Sequence, residues 1–278
     1  MMLIIGKILL ILIAAVLLFA AGVACYALVL MMRRPPLALY EARTWEADFI
    51  PLSQIPARQV KLLVEIEDSK FYTHRGYDYN SIRIAMRMNS RSKHIVTGGS
   101  TITQQLAKNL YFRFTHNYLR KMAEFLIALS LERKLGKDRI LEMYINIIYY
   151  GNGIYGISEA ARFYFDKPVP ELSINQMLML ACIPAAPTRG NPIQYPEVFE
   201  RLRNKRLNRL VREKESVITP EEAEDIRSHG ADCLDPELRP NDEFTRNYPQ
   251  DIPLINERFG PFAPKGGYAV TAPSSYRP

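Results

Sequence analysis

Residues 56–76 read PARQVKLLVEIEDSKFYTHRG, and this stretch indicates both the fold class and a site. Its apolar residues recur at the spacing of one face of an α-helix: Val60, Leu63, Val64 and Phe71. Glu67 falls on the same face, seven residues after Val60. We therefore predict a helix that presents one carboxylate from its apolar side.

Glu67 is the first candidate catalytic residue. A carboxylate on an apolar face is partly desolvated, which raises its pKa and makes it a better base near neutral pH. The alternative is a carboxylate at a frayed helix end that reaches water or pairs with His74. The neighbouring Phe71, His74, Gly76 and Asp78 are typical of a cleft and favour the catalytic interpretation.

The segment GGSTITQQ at residues 98–105 is the second feature. Thr101 and Gln104 have the spacing of a capping box, so we expect a helix to begin here. The N–H groups and the dipole at a helix start favour an anion, and Lys108 adds a positive charge one turn later. The alternative is an ordinary, well-capped helix.

Residues 120–124 combine two bases with one acid. Arg120 and Lys121 lie four and three residues before Glu124, so all three share a helix face. Together they could hold a diphosphate or a metal-bound diphosphate, and the alternative is an ion pair on the helix surface. Aromatic and basic residues alternate over 110–120, which suits either a bilayer interface or an ordinary core.

The N-terminal segment predicts a membrane anchor. From Ile8 to Met32 there is no charge and no proline. At about 1.5 Å per residue this run can cross a hydrocarbon core of about 30 Å. A cleaved signal peptide is the alternative, although its apolar part has only about 7–15 residues. Lys7 on one side and Arg33 and Arg34 on the other do not decide the orientation.

We predict four segments along the chain: a transmembrane anchor at 1–34, an irregular stalk at 35–50, a helical catalytic domain at 51–231 and a Pro-rich, flexible tail at 232–278. Prolines at positions 35, 36 and 51 indicate the stalk, and eight prolines indicate the tail. Near the end of the domain, Thr219 and Glu222 have the spacing of a capping box.

Composition excludes several other classes of protein. The 278 residues include 23% charged and 10% aromatic residues, which excludes wholesale disorder. Three cysteines without metal-like spacing exclude a zinc ribbon, and Cys182 and Cys233 either pair or are buried as thiols. The net charge is +7, and the basic residues of 201–209 have the spacing of a solvated helix face. We therefore expect no nucleic-acid partner.

Taken together, five ordered motifs resemble the peptidoglycan glycosyltransferases of family 51, the glycan polymerases of bacterial wall synthesis. The motifs are EDSKFYTHRG (67–76), GSTITQQ (99–105), Arg120 and Lys121 with Glu124, KDRILEMYIN (137–146), and GIYG (153–156) with AARFYFDK (160–167). The resemblance runs from about residue 51 to residue 196. It implies a monofunctional enzyme with a mainly α, lysozyme-like catalytic domain.

The resemblance also implies roles for individual residues. Glu67 is the general base, and Glu124 is a second catalytic carboxylate that orients the bases or holds a divalent cation such as Mg²⁺ or Mn²⁺. The implied substrate-binding residues are Asp68, Phe71, His74, Gly99, Ser100, Thr101, Gln104, Gln105, Lys108, Arg120, Lys121 and Asn146. The chain departs from the family at Ile84 and His116, where the family usually has arginines that help to hold the donor diphosphate.

The implied activity is the polymerisation of lipid II into β-1,4-linked glycan, with inversion and release of undecaprenyl diphosphate. The implied partners are lipid II, the growing glycan chain, the membrane, and cell-wall synthesis and divisome proteins. Because lipid II is polymerised outside the cytoplasm, we expect a single-pass protein of the bacterial inner membrane with a periplasmic domain. The alternatives are a lysozyme-like lytic enzyme, which also uses a glutamate in a helical cleft, and a non-catalytic cell-wall scaffold.

Overall fold

The computed structural model describes residues 2–44, 48–90, 98–112, 118–188, 190–213, 216–230 and 234. Within these ranges the chain forms eleven α-helices: α1 (Met2–Arg33), α2 (Pro36–Thr44), α3 (Ala57–Glu67), α4 (Tyr79–Ser90), α5 (Ile102–Tyr111), α6 (Tyr118–Lys134), α7 (Lys137–Ile147), α8 (Ile157–Phe165), α9 (Ile174–Cys182), α10 (Pro196–Leu210) and α11 (Pro220–His229). The described residues contain no β-strand, only an isolated bridge between Tyr149 and Tyr155. The predicted mainly α class is confirmed.

Capping boxes begin three of these helices: α5 at Thr101, α9 at Ser173 and α11 at Thr219. In each box the hydroxyl of the first residue accepts a hydrogen bond from the backbone N–H three residues later. The side chain of that later residue accepts a hydrogen bond from the backbone N–H of the first residue. The boxes at Thr101 and Thr219 confirm two predicted helix starts. The box at Ser173 adds a third.

Helix α3 packs against α9, while α5 packs against both α6 and α7. Helix α3 ends at Glu67, where the Asp68 N–H donates to the Val64 carbonyl at 2.8 Å. Phe71 is fully buried but lies beyond this end. The prediction of one continuous helical face from Val60 to Phe71 was therefore wrong, because the chain turns at Asp68.

Helix α1 is long and apolar enough to cross a membrane, with a mean hydropathy of 3.0 in its most apolar part. Most of its side chains are exposed, but Val23 and Ala27 are buried where α1 packs against α6. Just after the helix, the Arg34 carbonyl accepts a hydrogen bond from the Tyr111 hydroxyl at 2.9 Å. The end of α1 is therefore packed on the helical domain.

The prediction of an irregular stalk was wrong for residues 36–44, which form α2. Pro36 is the first residue of this helix, a position where proline is favoured because no N–H is required there. Leu39 is buried, and the Tyr40 hydroxyl donates to the Glu142 carboxylate on α7. Helix α2 is thus packed against the domain.

The basic residues of α10 do not all face solvent, so the prediction of a solvated face was wrong. Arg203 is 0% exposed, and its guanidinium donates to Asn175 Oδ1 at 3.4 Å and to the Ile226 carbonyl at 3.4 Å. Burial of this charge is compensated by oxygen acceptors on α9 and at the end of α11. Arg206 is also partly buried, and only Arg201, Lys205 and Arg209 are exposed.

Beyond α11 the structure describes only Leu234, which packs against the core. The predicted flexible tail at 232–278 therefore lies outside the described residues, apart from Leu234. Cys233 and its pairing with Cys182 also lie outside them. Cys182 is buried in α9 and forms no disulfide within the described residues. The predicted domain boundaries stay predictions.

Candidate active site

Glu67 stands at the end of α3 and is half-buried. Its Oε2 accepts a hydrogen bond from the Gln105 side-chain amide on α5 at 2.9 Å. The Gln105 carbonyl oxygen accepts in turn from the Tyr144 hydroxyl at 3.1 Å. Glu67 Oε1 is buried and has no hydrogen bond of good geometry to any described residue. The Glu67 carboxylate is thus positioned by α5 through its Oε2.

The surroundings of Glu67 raise the pKa of its carboxyl group, mainly through burial. The Gln105 hydrogen bond and the positive charges of Arg206 and Lys108 act in the opposite direction. A raised pKa brings a carboxylate closer to the basicity that a general base needs at neutral pH. The predicted desolvation is confirmed, although it arises at a helix end and not within a helical face.

Asp68 and His74 form a buried pair beside Glu67. His74 Nε2 lies 2.8 Å from Asp68 Oδ2, and the Gly76 N–H donates to His74 Nδ1 at 3.0 Å. Because Nδ1 accepts, Nε2 bears the ring proton and donates it to Asp68. Asp68 Oδ2 also accepts from the Ile102 N–H at 2.9 Å. His74 therefore pairs with Asp68 and not with Glu67, and the turn after α3 is tied to α5.

The start of α5 forms a second wall of the site. The Thr101 hydroxyl donates to the Gly76 carbonyl at 2.8 Å, and Gln104 completes the capping box. Gly99 passes so close to α4 that a Cβ there would lie 2.9 Å from the Ser81 carbonyl oxygen. These contacts give Gly99, Thr101 and Gln104 structural roles, and their direct contacts with substrate stay predictions.

Glu124 is the centre of a cluster on α6, and it is 1% exposed. Its Oε1 lies 3.0 Å from Arg120 Nε, and its Oε2 lies 3.1 Å from Lys121 Nζ. Lys121 also donates to the Ser100 hydroxyl at 2.8 Å. The three residues share a face as predicted, but the pairs involve a buried carboxylate, unlike an ion pair on the helix surface. We call Arg120, Lys121 and Glu124 the cationic cluster.

Lys108 connects the two glutamates electrostatically. Burial lowers the pKa of the Lys108 ammonium group, and the negative charge of Glu124 opposes this. The charge of Glu67 also raises that pKa, although its effect is smaller. Lys108 is therefore close enough to both carboxylates for their charges to act on it.

A polar cavity of about 210 Å³ opens beside these residues. Its lining comes from the end of α3, the start of α4, the loop before α5, and α10. Glu67, Asp68, Gly99, Ser100 and Thr101 are among the lining residues. Ser100 lines the cavity and accepts a hydrogen bond from Lys121, so the cationic cluster contacts the wall of the cavity at Ser100.

The structure does not bring Phe71 or Asn146 to the cavity. Phe71 is 0% exposed, and Lys137 Nζ lies 4.5 Å from the centre of its ring. Asn146 is also 0% exposed, and its amide accepts from the Ile50 N–H at 2.9 Å and donates to the Ile50 carbonyl at 2.9 Å. Asn146 thus fastens the segment before α3 to α7.

The aromatic and basic segment at 110–120 is only partly described. Leu110 and Tyr111 are buried, which agrees with the core interpretation, whereas Leu119 is 48% exposed. His116 lies outside the described residues. Ile84, at the other departure from the family, is 54% exposed on α4.

Two arginines of α10 belong to the site although the sequence pattern did not indicate them. Arg206 donates to the Cys182 carbonyl at 3.2 Å, and its charge acts on Glu67. Arg209 lines the cavity and donates to the Glu65 carbonyl at 2.6 Å. Local spacing could not find these contacts, because Arg209 and Glu65 are 144 positions apart in the sequence.

The residues around Glu124 do not fit a metal site made by protein side chains alone. In the described part of the chain, no three His, Cys, Asp or Glu side chains converge. Glu124 already faces two cationic side chains at 3.0 and 3.1 Å. A divalent cation here would need most of its oxygen ligands from other molecules. We therefore derive no catalytic step through a metal.

The sequence matches known proteins over the same region. The transglycosylase family matches residues 37–211. Penicillin-binding protein 1A of Aquifex aeolicus is 42% identical over 177 residues, which are 64% of this chain and 24% of that protein. Penicillin-binding protein 1A of Pseudomonas aeruginosa is 43% identical over 163 residues, 59% of this chain and 20% of that protein. A Cupriavidus necator protein named as a transglycosylase is 40% identical over 149 residues, 54% of this chain and 64% of that protein.

The chain belongs to the transglycosylase family. The matched region extends from α2 to α10 and includes Glu67, Glu124 and all the residues that line the cavity. The predicted family and the lysozyme-like helical class are confirmed. The chain spans only 24% and 20% of the length of the two penicillin-binding proteins.

Proposed function

We propose that this protein is a peptidoglycan glycosyltransferase that polymerises lipid II into β-1,4-linked glycan strands and releases undecaprenyl diphosphate. One observation supports this above all: the desolvated carboxylate of Glu67 lines a polar cavity, and Lys121 of the cationic cluster donates to Ser100 in the wall of that cavity. Transfer of a sugar from a lipid diphosphate to a hydroxyl requires a base for the hydroxyl and positive charge for the leaving group.

Glu67 acts as the general base. Its carboxylate takes the proton from the 4-hydroxyl of the acceptor GlcNAc, and that oxygen attacks the anomeric carbon of the growing chain. Gln105 donates to Oε2 of this carboxylate at 2.9 Å and so orients the base. A positioned base of this kind contributes about 10² to 10⁴ in rate.

The cationic cluster, together with Lys108, receives the leaving diphosphate. Arg120, Lys121 and Lys108 supply positive charge and charge-assisted hydrogen bonds to phosphate oxygens. Glu124 keeps the first two side chains in place through its ion pairs at 3.0 and 3.1 Å. Because the hydroxyl attacks the face opposite the departing diphosphate, the configuration at the anomeric carbon is inverted.

The N-terminal helix suits a substrate whose lipid stays in the bilayer. We place α1 across the cytoplasmic membrane, and the exposed Ile84, Met86 and Met88 of α4 at the lipid surface. Because lipid II is polymerised outside the cytoplasm, the helical domain belongs on the periplasmic side. Other cell-wall synthesis and divisome proteins are the class of partner that this location implies.

The cationic cluster favours synthesis over lysis. A lytic enzyme also uses a glutamate in a helical cleft. Cleavage of glycan by water releases no diphosphate, however, and would leave Arg120, Lys121 and Lys108 without a role.

The 278-residue chain, purified in detergent and incubated with labelled lipid II, tests the proposal. We expect glycan polymer that a muramidase can digest, and no breakdown when preformed polymer is the only substrate. Parallel reactions with Mg²⁺ and with EDTA measure the contribution of a divalent cation. Degradation of the polymer, or the absence of new polymer under both conditions, would contradict the proposed function.

A further inference from the structure

The proposed reaction joins two substrates that each bear a lipid-linked diphosphate. The cationic cluster and Lys108 account for the diphosphate that leaves with the donor lipid. The acceptor keeps its own diphosphate, which lies two sugar rings away from the hydroxyl that Glu67 activates. That second diphosphate requires cations of its own, at a part of the site other than the cationic cluster.

The cavity beside Glu67 contains two such cations, and its acidic lining residues are Glu65, Glu67, Asp68 and Asp78. Among the described residues that line it, the basic side chains are Lys70, from the turn after α3, and Arg209, from α10. Both side chains are about half exposed, at 51% and 52%, so a ligand can reach them. Neither residue belongs to the cationic cluster.

Arg209 is anchored to α3 while most of its donors stay accessible. One terminal nitrogen donates to the Glu65 carbonyl at 2.6 Å, two residues before Glu67. Its Nε lies 4.0 Å from Glu213, a long and exposed pair that contributes little. A guanidinium has five N–H donors in a planar fork, so the remaining donors can bind two phosphate oxygens.

Lys70 is held close to the same cavity by Asp78. Its Nζ lies 3.7 Å from Asp78 Oδ2, and that oxygen also accepts from the Ser81 hydroxyl at 2.6 Å. Asp78 Oδ1 accepts from the Asn80 N–H at 3.0 Å. Since the Asp78 carboxylate is shared among several donors, it orients the Lys70 ammonium group and neutralises it only in part.

We propose that Arg209, assisted by Lys70, holds the diphosphate of the acceptor lipid II while Glu67 activates its 4-hydroxyl. This assignment rests on the proposed function. It makes Arg209 a determinant of acceptor affinity, and it adds no covalent step to the reaction.

Two soluble acceptors that differ at one group test the assignment. Both are the disaccharide pentapeptide of lipid II; one has a diphosphate at its reducing end and the other has a methyl group. The donor is a lipid-linked glycan whose terminal 4-hydroxyl is removed, so it cannot act as acceptor.

The proteins are the parent chain, Arg209→Ala, Lys70→Ala, and the control Arg201→Ala. Arg201 is exposed on the same helix, and its Nε donates to the carbonyl of Glu197 on that helix at 3.3 Å.

We expect the parent to prefer the diphosphate acceptor. Arg209→Ala should raise the KM for this acceptor about 10- to 100-fold, the usual effect of losing a hydrogen bond to a charged group, and leave kcat within about twofold. Lys70→Ala should give a smaller rise in the same KM. The KM for the methyl acceptor should not change in either variant, and Arg201→Ala should change neither value.

Other results would overturn the assignment. If Arg209→Ala raised both KM values equally, its role would be structural. If it changed neither, or if the parent used both acceptors equally well, no acceptor diphosphate is bound here. A parent that forms no product with lipid II or either soluble acceptor would contradict the proposed function itself.

Discussion

Glu67 and Glu124 are glutamates of one site, but their surroundings differ in charge. Glu67 accepts one hydrogen bond from a neutral amide at 2.9 Å, and burial raises the pKa of its carboxyl group. Glu124 lies 3.0 and 3.1 Å from two cationic side chains. A carboxylate destabilised by burial is suited to accept a proton, whereas one between two cations is suited to hold them in place. The same residue type thus takes two roles because of what packs around it.

The largest expected effect tests the base. Glu67→Gln keeps the size of the side chain and the hydrogen-bonding partner Gln105, but it cannot accept the hydroxyl proton. We expect the rate of lipid II polymerisation to fall about 10²- to 10⁴-fold. The exposed Glu221→Gln on α11 is the matched control and should keep full activity. Full activity in Glu67→Gln would show that Glu67 is not the general base.

The cationic cluster should show a smaller loss. Lys121→Ala removes the donor to Ser100 and one of the two cations beside Glu124. We expect kcat/KM for the donor to fall about 10²-fold, as for other groups that stabilise developing charge. Since the Lys121 side chain is 48% exposed, the melting temperature should change little. Lys134→Ala, at the exposed end of α6, is the control, and an unchanged rate with a lowered melting temperature would favour a structural ion pair.

Replacing each of the two glutamates by glutamine should change the stability of the protein in opposite directions. The pKa of Glu67 is higher in the folded state, so the folded protein binds more protons than the unfolded chain does. The free energy of unfolding therefore falls as pH rises through that pKa. Glu67→Gln removes this loss, so its melting temperature at neutral pH should equal or exceed that of the parent. Glu124→Gln leaves Arg120 and Lys121 without their anion and should lower the free energy of unfolding by about 1–3 kcal/mol. Thermal unfolding at several pH values measures both, and equal destabilisation would contradict the comparison.

The smallest expected effect concerns the hydrogen bond that sets the pKa of Glu67. Its hydrogen bond from Gln105 favours the ionised carboxylate, so Gln105→Leu should raise the pKa of Glu67 further. The acid limb of kcat/KM against pH should then move to higher pH by about one unit or less. Tyr144→Phe, which removes only the hydroxyl that orients Gln105, should give a smaller shift in the same direction. An unmoved acid limb in both variants would mean that Glu67 is not the group that titrates.

Local patterns predicted the features that form within one helical turn. The capping boxes at Thr101 and Thr219 join residues three positions apart, and Arg120 and Lys121 meet Glu124 for the same reason. The same reasoning failed for α2, since the prolines indicate an irregular stalk although Pro36 occupies a first helical position.

By itself, the sequence determined which chemistry is available: an apolar span, one carboxylate next to apolar residues, and bases suited to a diphosphate. Residue type and short spacing are enough for these. Only the tertiary structure decided which groups meet: His74 contacts Asp68, Asn146 contacts Ile50, and Arg209 reaches Glu65 from α10. The physical reason is that desolvation and hydrogen-bond partners come from the packing of distant segments, and no local spacing specifies that packing.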